Sequence, residues 1–327
     1  MLITKLLKAF TIMSLIFLNF SCSTNSAKMK QGKRFSSLVV FGDGLNDMGA
    51  WGKITNFKYP PAEFGFLDSR WTNGKVWVEI LADRLNLDIS LKNNFAMGGA
   101  TTGLYNINEP LRQKLNLPED VKLMGMLAQV KQYLSNKPSI EAGTLFVLWA
   151  GGHDIGNYLE YGQPDLAKYP PAENIKICID LLVRSGAKNI LIATVPDLGF
   201  APGIFGTPKQ SVASKLSADI NNGIDSIIKK FSENGIHFYK FEGGKVFAHI
   251  ASSSAKFGIK YLDSYLPVGA IDFSNPLKTP KIKNHNKEKN LDPNEFMNWW
   301  SISPSSKVHQ VLAEEALSLL DIKNKLK

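Results

Sequence analysis

Three short apolar runs, each closed by a turn residue, punctuate the chain: SSLVVFGD (36–43), TLFVLWAGG (144–152) and NILIATVPD (189–197). Runs of this length, rich in Val, Ile and Leu and ending in Gly or Pro–Asp, predict buried strands. Between and after them the apolar positions recur every three to four residues. VWVEILADRL (76–85), MGMLAQVKQYL (124–134) and ENIKICIDLLVRSG (173–186) carry that period, which predicts helices, the last stopped by Gly186. SVASKLSADINNGIDSIIKKFSENG (211–235) and KVHQVLAEEALSLL (307–320) repeat it. Strands alternating with helices predict an α/β fold: a doubly wound, flavodoxin-like parallel sheet flanked by helices. Ligands of such sheets bind at the carboxyl ends of the strands. Residues 274–295, rich in Pro, Asn and Lys, show no period and predict a loop before the last helix.

The start of the chain follows another pattern. Lys5 and Lys8 precede the apolar run AFTIMSLIFLNF (9–20), and the small residues Ser21, Cys22 and Ser23 follow it. Basic start, short apolar core and small residues together predict an export signal, too short for a membrane span. Cys22 resembles the lipid-accepting cysteine of bacterial lipoproteins; ordinary cleavage near Ser23 or Ala27 is the other reading. The protein is therefore expected outside the cytoplasm, as a lipoprotein of a bacterial outer membrane or periplasm or as a secreted protein. The expected organisation is a signal over 1–22, a polar tether over 23–35 and a single domain over 36–322.

Composition adds little to this. With 327 residues and 44% hydrophobic content the chain has ample material for one sizeable core. The formal charge is +9, scattered and without a nucleic-acid motif, so it reads as a basic surface rather than a nucleic-acid footprint. Cys22 and Cys178 are the two cysteines. With Cys22 lipidated or removed, no disulfide is available to brace the fold. No H-x-x-x-H or C-x-x-C spacing points to a metal, and no cofactor is implied.

Six segments, in order, carry a resemblance. FGDGLNDMG (41–49) follows the first strand; RWTNGKVWVEILA (70–82), NFAMGGATTG (94–103), LFVLWAGGHD (145–154), GAKNILIATVPDLGFAP (186–202) and FMNWWSISPSSKVHQVLAEE (296–315) come after it. Together they resemble the signature blocks of the GDSL (SGNH) esterase/lipase family over residues 36–317. The resemblance implies the SGNH-hydrolase type of α/β fold. It also places the family's chemistry on particular residues, and most of those are substituted. The nucleophilic Ser falls on Gly44, the oxyanion-hole Asn on His153, the triad Asp on Trp300 and the triad His on Ser303; the oxyanion Gly survives as Gly99.

A serine hydrolase needs a hydroxyl nucleophile, a base for its proton and donors for the oxyanion. Gly44 carries no oxygen, Trp300 cannot steady an imidazolium, and Ser303 is no base near neutral pH. Losing a nucleophile or base of such a triad costs on the order of 10⁶ in kcat. Gly44, Gly99 and His153 remain as a candidate oxyanion hole or anion-binding pocket. The start of the helix after Gly44 is a second candidate anion site. Ser303 with His153 is the leading candidate for a rebuilt pair, and His285 and His309 are further candidate bases. Trp51, Trp71, Trp77, Trp299 and Trp300 are candidates to line a lipid-binding cleft, although core packing accounts better for Trp71 and Trp77.

The resemblance thus implies an esterase/lipase-like envelope or secreted protein without hydrolysis. It would bind a lipid, acyl or glycan ligand or a protein partner, with membrane association through Cys22 if that residue is lipidated. An active ester hydrolase with a relocated catalytic set and a structural surface lipoprotein are the alternatives.

Overall fold

The computed structural model describes residues 34–136, 140–162, 170–278 and 282–325. The expected signal, Cys22 and most of the tether lie outside the described residues. From Arg34 onward the described chain falls into one compact unit.

Its centre is a parallel sheet of β1 (Ser37–Gly42), β2 (Thr144–Trp149), β3 (Asn189–Ala193) and β4 (His237–Phe241), side by side in that order. The three strands expected from sequence are β1 to β3. The fourth, HFYKF, lacks an apolar run because it is the edge: Lys240 reaches out to Asp225 at 2.6 Å and Glu242 at 3.0 Å. On the other edge, Val40 bridges Asn94 in parallel, and the amides of Phe95 and Met97 donate to the carbonyls of Val40 and Gly42. Counting this stretch as a strand, the chain order across the sheet is 2-1-3-4-5. That is the flavodoxin-like order, whose reversal point lies between β1 and β2.

Nine helices are described: α1 (Ala50–Thr55), α2 (Trp77–Leu85), α3 (Met126–Asn136), α4 (Gly152–Tyr161), α5 (Pro171–Arg184), α6 (Gln210–Ser232), α7 (Gly243–Ser252), α8 (His285–Glu288) and α9 (Ser306–Lys325). Alternate strand residues face opposite sides of the sheet, so two cores form. Val39, Phe41, Phe146, Leu148 and Ile190 pack with α3, α5 and α6. Leu38, Val40, Leu145, Val147 and Leu191 pack with α2, α7 and α9. Cys178 is buried with the first set, a free thiol in an apolar setting.

Two features went unread in the sequence. A second sheet joins β5 (Tyr261–Leu266) in parallel to β6 (Phe296–Trp300), and β6 in antiparallel to β7 (Ser303–Pro304). The expected loop over 274–295 also carries the single turn α8, capped by Asn284 Oδ1, which accepts from the amides of Asn286 and Lys287. The second sheet, with residues 50–71 and 97–123, builds a third apolar cluster at the carboxyl edge of the main sheet.

The long excursion from β1 to α2 is tied down by Arg70 and Glu79. Nε and Nη2 of Arg70 each donate to a Glu79 oxygen at 2.8 Å, and Glu79 Oε2 also accepts from the amide of Val76 at 3.0 Å. The carboxylate thus neutralises a partly buried guanidinium and satisfies an orphan donor at the start of α2. Glu79→Ala is expected to lower the unfolding free energy by about 1–3 kcal/mol in urea titrations, the cost of leaving the Val76 amide unpaired and Arg70 ion-paired with the exposed Asp68 alone. A loss below about 1 kcal/mol would mark the pair as no stronger than a surface bridge.

Candidate functional site

The crevice at the carboxyl ends of β1 and β2 gathers the family-equivalent positions. Gly44 follows β1, Gly99 follows the 94–97 stretch, and His153 lies in the first turn of α4 after β2. Trp300 and Ser303 face each other across the β6–β7 hairpin.

Backbone conformation does not explain the glycine at 44. Its φ lies outside the left-handed region, and a Cβ there would stand 3.4 Å from Trp71 Cδ1, an ordinary contact. Gly99 differs: its φ is +84°, and a Cβ would fall 2.2 Å from Asn108 Nδ2 and 2.5 Å from Asn106 Oδ1. Only glycine suits that turn.

Above Gly44 lies aromatic packing. Trp71 covers it, and Trp300 stacks on Trp71 with centroids 6.0 Å apart and planes 28° apart. Phe66 meets both indoles edge-on at 6.3 Å, and Phe273 closes the outer side of Trp300 at 6.0 Å. Of the five tryptophans considered as cleft lining, all are buried. Trp77 lies within the core of the main sheet beside Trp149 and Phe241, while Trp51, Trp71, Trp299 and Trp300 belong to the cluster at the carboxyl edge. These rings form a core where the sequence had suggested a cleft, because each ring has aromatic neighbours on its faces or edges.

The candidate oxyanion hole is also different from its expectation. The amide of Gly99 donates to His153 Nε2 at 3.3 Å, so two of its three proposed members bind each other. Accepting at Nε2 leaves the ring proton on Nδ1. Burial pushes the His153 pKa down to about 4, so the ring is neutral near pH 7. The candidate anion site at the start of α1 is likewise taken. Asp47 Oδ1 accepts from the amides of Gly49 at 2.9 Å and Ala50 at 2.7 Å, and its Oδ2 from Gly98 at 2.8 Å. The protein's own carboxylate fills the place where an external anion would bind.

The other candidates are engaged elsewhere. Among the described residues no hydrogen bond joins Ser303 to His153. His309 is buried with Nδ1 accepting from the amide of Trp77 at 3.2 Å, which makes it a cap of α2. His285 is exposed on α8 and pairs with Glu288 at 3.0 Å.

Three carboxyl groups are buried beside the crevice. Asp154 accepts from the Thr102 amide at 2.9 Å and the Thr102 hydroxyl at 2.7 Å. Asp43 accepts from the Leu45 amide at 3.1 Å. Burial raises Asp43 to about 7, and Asp47 and Asp154 each to about 6; Asp154 adds like-charge repulsion to Asp43. None forms an ion pair among the described residues, and desolvation dominates. Among the described residues no group of three or more His, Cys, Asp or Glu side chains is arranged to hold a metal ion.

Sequence reasoning missed Asp47, Phe66 and Phe273. Asp47 stands inside FGDGLNDMG and was readable as an acid just ahead of a helix; the two phenylalanines lie in aperiodic stretches that give no signal. Two surface cavities, about 680 Å³ between α2 and α9 and about 740 Å³ among α4, α5 and α6, touch none of Gly44, Gly99, His153, Trp300 or Ser303.

Comparison with known proteins agrees with this frame. The chain is 31% identical over 231 residues to a phosphatidylcholine-sterol acyltransferase of Aeromonas hydrophila, covering 69% of this chain and 63% of that one. It is 26% identical over 308 residues to the thermolabile hemolysin of Vibrio parahaemolyticus, covering 91% of this chain and 67% of that one. The chain therefore spans somewhat under two thirds of the acyltransferase and about two thirds of the hemolysin. A crystal structure of a lipolytic G-D-S-L family protein from Veillonella parvula aligns with 13% identity and a TM-score of 0.44, over 88% of this chain and 98% of that one. Residues 38–316 match the profile of the GDSL-like Lipase/Acylhydrolase family. The chain belongs to that family.

Proposed function

We propose that this protein is an exported, non-hydrolytic member of the GDSL lipase/acylhydrolase family that works through its surface rather than through a reactive cleft. The observation that carries the reading is the stack of Trp300 on Trp71 above Gly44. In an acyl-transfer site that volume holds the nucleophile's oxygen, the imidazole and the substrate carbonyl. Here it holds two indoles and a phenyl ring.

The bonding of the remaining polar groups supports the same reading. Gly99 and His153 satisfy each other, and Asp47 satisfies the start of α1. A hydrolase keeps such donors turned toward the developing oxyanion; in this chain they serve the fold. The closed aromatic packing also argues against the acyl, lipid or glycan ligand that an open crevice would take, and leaves surface recognition of a partner as the favoured role. The names of the relatives, an acyltransferase and a hemolysin, favour the alternative of an active ester hydrolase, and activity measurements decide between the two.

Wild-type protein is expected to turn over neither short-chain nitrophenyl esters nor lysophospholipid above the level of Gly44→Ala, and to form no stoichiometric adduct with an organophosphorus probe. Ester turnover abolished by Ser303→Ala or His153→Ala would establish a rebuilt catalytic pair and overturn the proposal. Trp300→Ala is expected to cost about 3–5 kcal/mol of stability, as for other buried aromatics; a cost under about 1 kcal/mol would mean that Trp300 merely borders an open cleft.

The buried carboxyls give a pH signature. Folded Asp43 keeps its proton up to about pH 7, whereas an unfolded Asp releases it near pH 4. Between those values the folded state binds the extra proton, so this group's contribution to stability is full below about pH 4 and is lost as pH rises toward about 7. Asp43→Asn removes that penalty while keeping an acceptor for Leu45. Its melting temperature is expected to exceed wild type by several degrees at pH 8, at about 1.4 kcal/mol per pKa unit, and to match wild type near pH 4. Equal destabilisation at both pH values would show that the charge is needed rather than tolerated.

A further inference from the structure

The second sheet carries more than the aromatic core beneath it. Phe273, whose ring packs on Trp300, is 45% exposed, and Ile302, at the tip of the β6–β7 hairpin, is 42% exposed. Leu277, 39% exposed, follows Phe273 through a turn in which the amide of Asn275 donates to Asp272 and that of Lys278 to Asn275. These side chains project outward from packed backbone, and neither cavity described above includes them. Exposed apolar side chains outside those two cavities suit insertion into a soft interface.

Positive charge surrounds the same surface. Lys114 Nζ donates to the Phe273 carbonyl at 3.0 Å. Asn286 Nδ2 donates to the Tyr265 carbonyl at 2.8 Å, which fastens α8 to the outer edge of β5. That anchor carries exposed Lys283, Lys287 and Lys289 next to the second sheet, with exposed Lys278 at the end of the Phe273 turn. None of these four pairs with a carboxylate among the described residues; Glu288 is paired with His285, and Asp272, beside Phe273, accepts from the Ser274 amide and hydroxyl. Apolar side chains that insert, ringed by unpaired lysines, are what an anionic lipid surface binds.

We propose that the face formed by Phe273, Leu277 and Ile302 with Lys283 and Lys287 is a docking surface for an anionic phospholipid bilayer. The phenyl and aliphatic side chains enter the headgroup boundary, and the ammonium groups meet lipid phosphates. The inference does not depend on whether the protein hydrolyses esters, since none of these residues belongs to the family-equivalent catalytic positions.

The test is sedimentation of the full chain with vesicles of phosphatidylcholine alone and of phosphatidylcholine mixed with phosphatidylglycerol. Every variant keeps the same amino-terminal segment, so differences report on the folded unit. Wild type is expected to partition at least about tenfold more strongly onto the mixed vesicles, and to lose that preference at high salt. Lys283→Glu with Lys287→Glu is expected to weaken binding to mixed vesicles by on the order of tenfold or more, at roughly fivefold per lysine. Phe273→Ser with Ile302→Ser is expected to weaken it by at least about fivefold through lost apolar insertion. Tyr161→Ser removes an aromatic that is 70% exposed at the far end of α4, and is expected to bind as wild type does. Melting curves for each variant verify folding, and the lysine pair, fully at the surface, keeps the test decisive if the Phe273 variant is unstable. Equal wild-type binding to both vesicle types, wild-type binding by the lysine variant, or an equal loss in Tyr161→Ser would overturn the proposal.

Discussion

Trp71 lies between the loop that follows β1 and the second sheet, and the carboxyl edge is organised around its ring. One face covers Gly44 and presses so close to Gly98 that a Cβ there would fall 2.0 Å from the indole nitrogen. The other stacks on Trp300, while Tyr59 and Phe66 meet its edges at 5.5 and 6.3 Å. A Cβ at Gly44 would meet the indole in ordinary contact at 3.4 Å, whereas Gly98 cannot grow without moving it. Close-packed interiors have little room to absorb such a change. The second sheet depends on this contact, because Trp300 closes β6 against the rest of the protein.

Packing and polar satisfaction reinforce one another at this edge. Trp51 Nε1 donates to the Gly98 carbonyl at 2.9 Å, and Asn106 Nδ2 donates to it at 3.1 Å. Asn46 links three pieces, with Nδ2 donating to the Trp149 carbonyl, Oδ1 accepting from Trp77 Nε1, and its carbonyl accepting from Asn94 Nδ2. Much of this edge is bonded to its own chain, while Trp71 Nε1 and the Tyr59 hydroxyl are buried without a hydrogen-bond partner among the described residues. A buried donor left unpaired costs roughly 1–3 kcal/mol, so the bonds of Asn46, Trp51 and Asn106 help to hold this edge together.

The aromatic fill has a consequence for the outer surface. A core that ends in Trp300 needs a cover, and Phe273 supplies it from an otherwise polar segment, leaving part of its ring in solvent. Apolar exposure at that point is thus coupled to the presence of an indole at position 300. Lys283, Lys287 and Lys289 have no such packing reason, and their position follows from the attachment of α8 to β5.

Much of the frame was legible from the residues alone. Apolar runs closed by turns marked β1 to β3, the helical period marked α2, α3, α5, α6 and α9, and the order of the blocks carried the family. Those signals are local: each depends on residues adjacent in sequence and on a period set by backbone geometry. The resemblance made the residues at positions 44, 153, 300 and 303 equally plain, because the lack of an oxygen at Gly44 or of an imidazole at Ser303 is a property of the residue itself. What those residues do instead was decided by tertiary structure. The edge strand β4 and the second sheet lack the apolar runs that identify buried strands, since polar side chains are tolerated wherever one face meets water. Gly99 and His153 are 54 positions apart, and Trp71 and Trp300 are 229 apart. Whether such pairs bind each other or leave a crevice open depends on distances that no local pattern records, and only the folded chain brings them within reach.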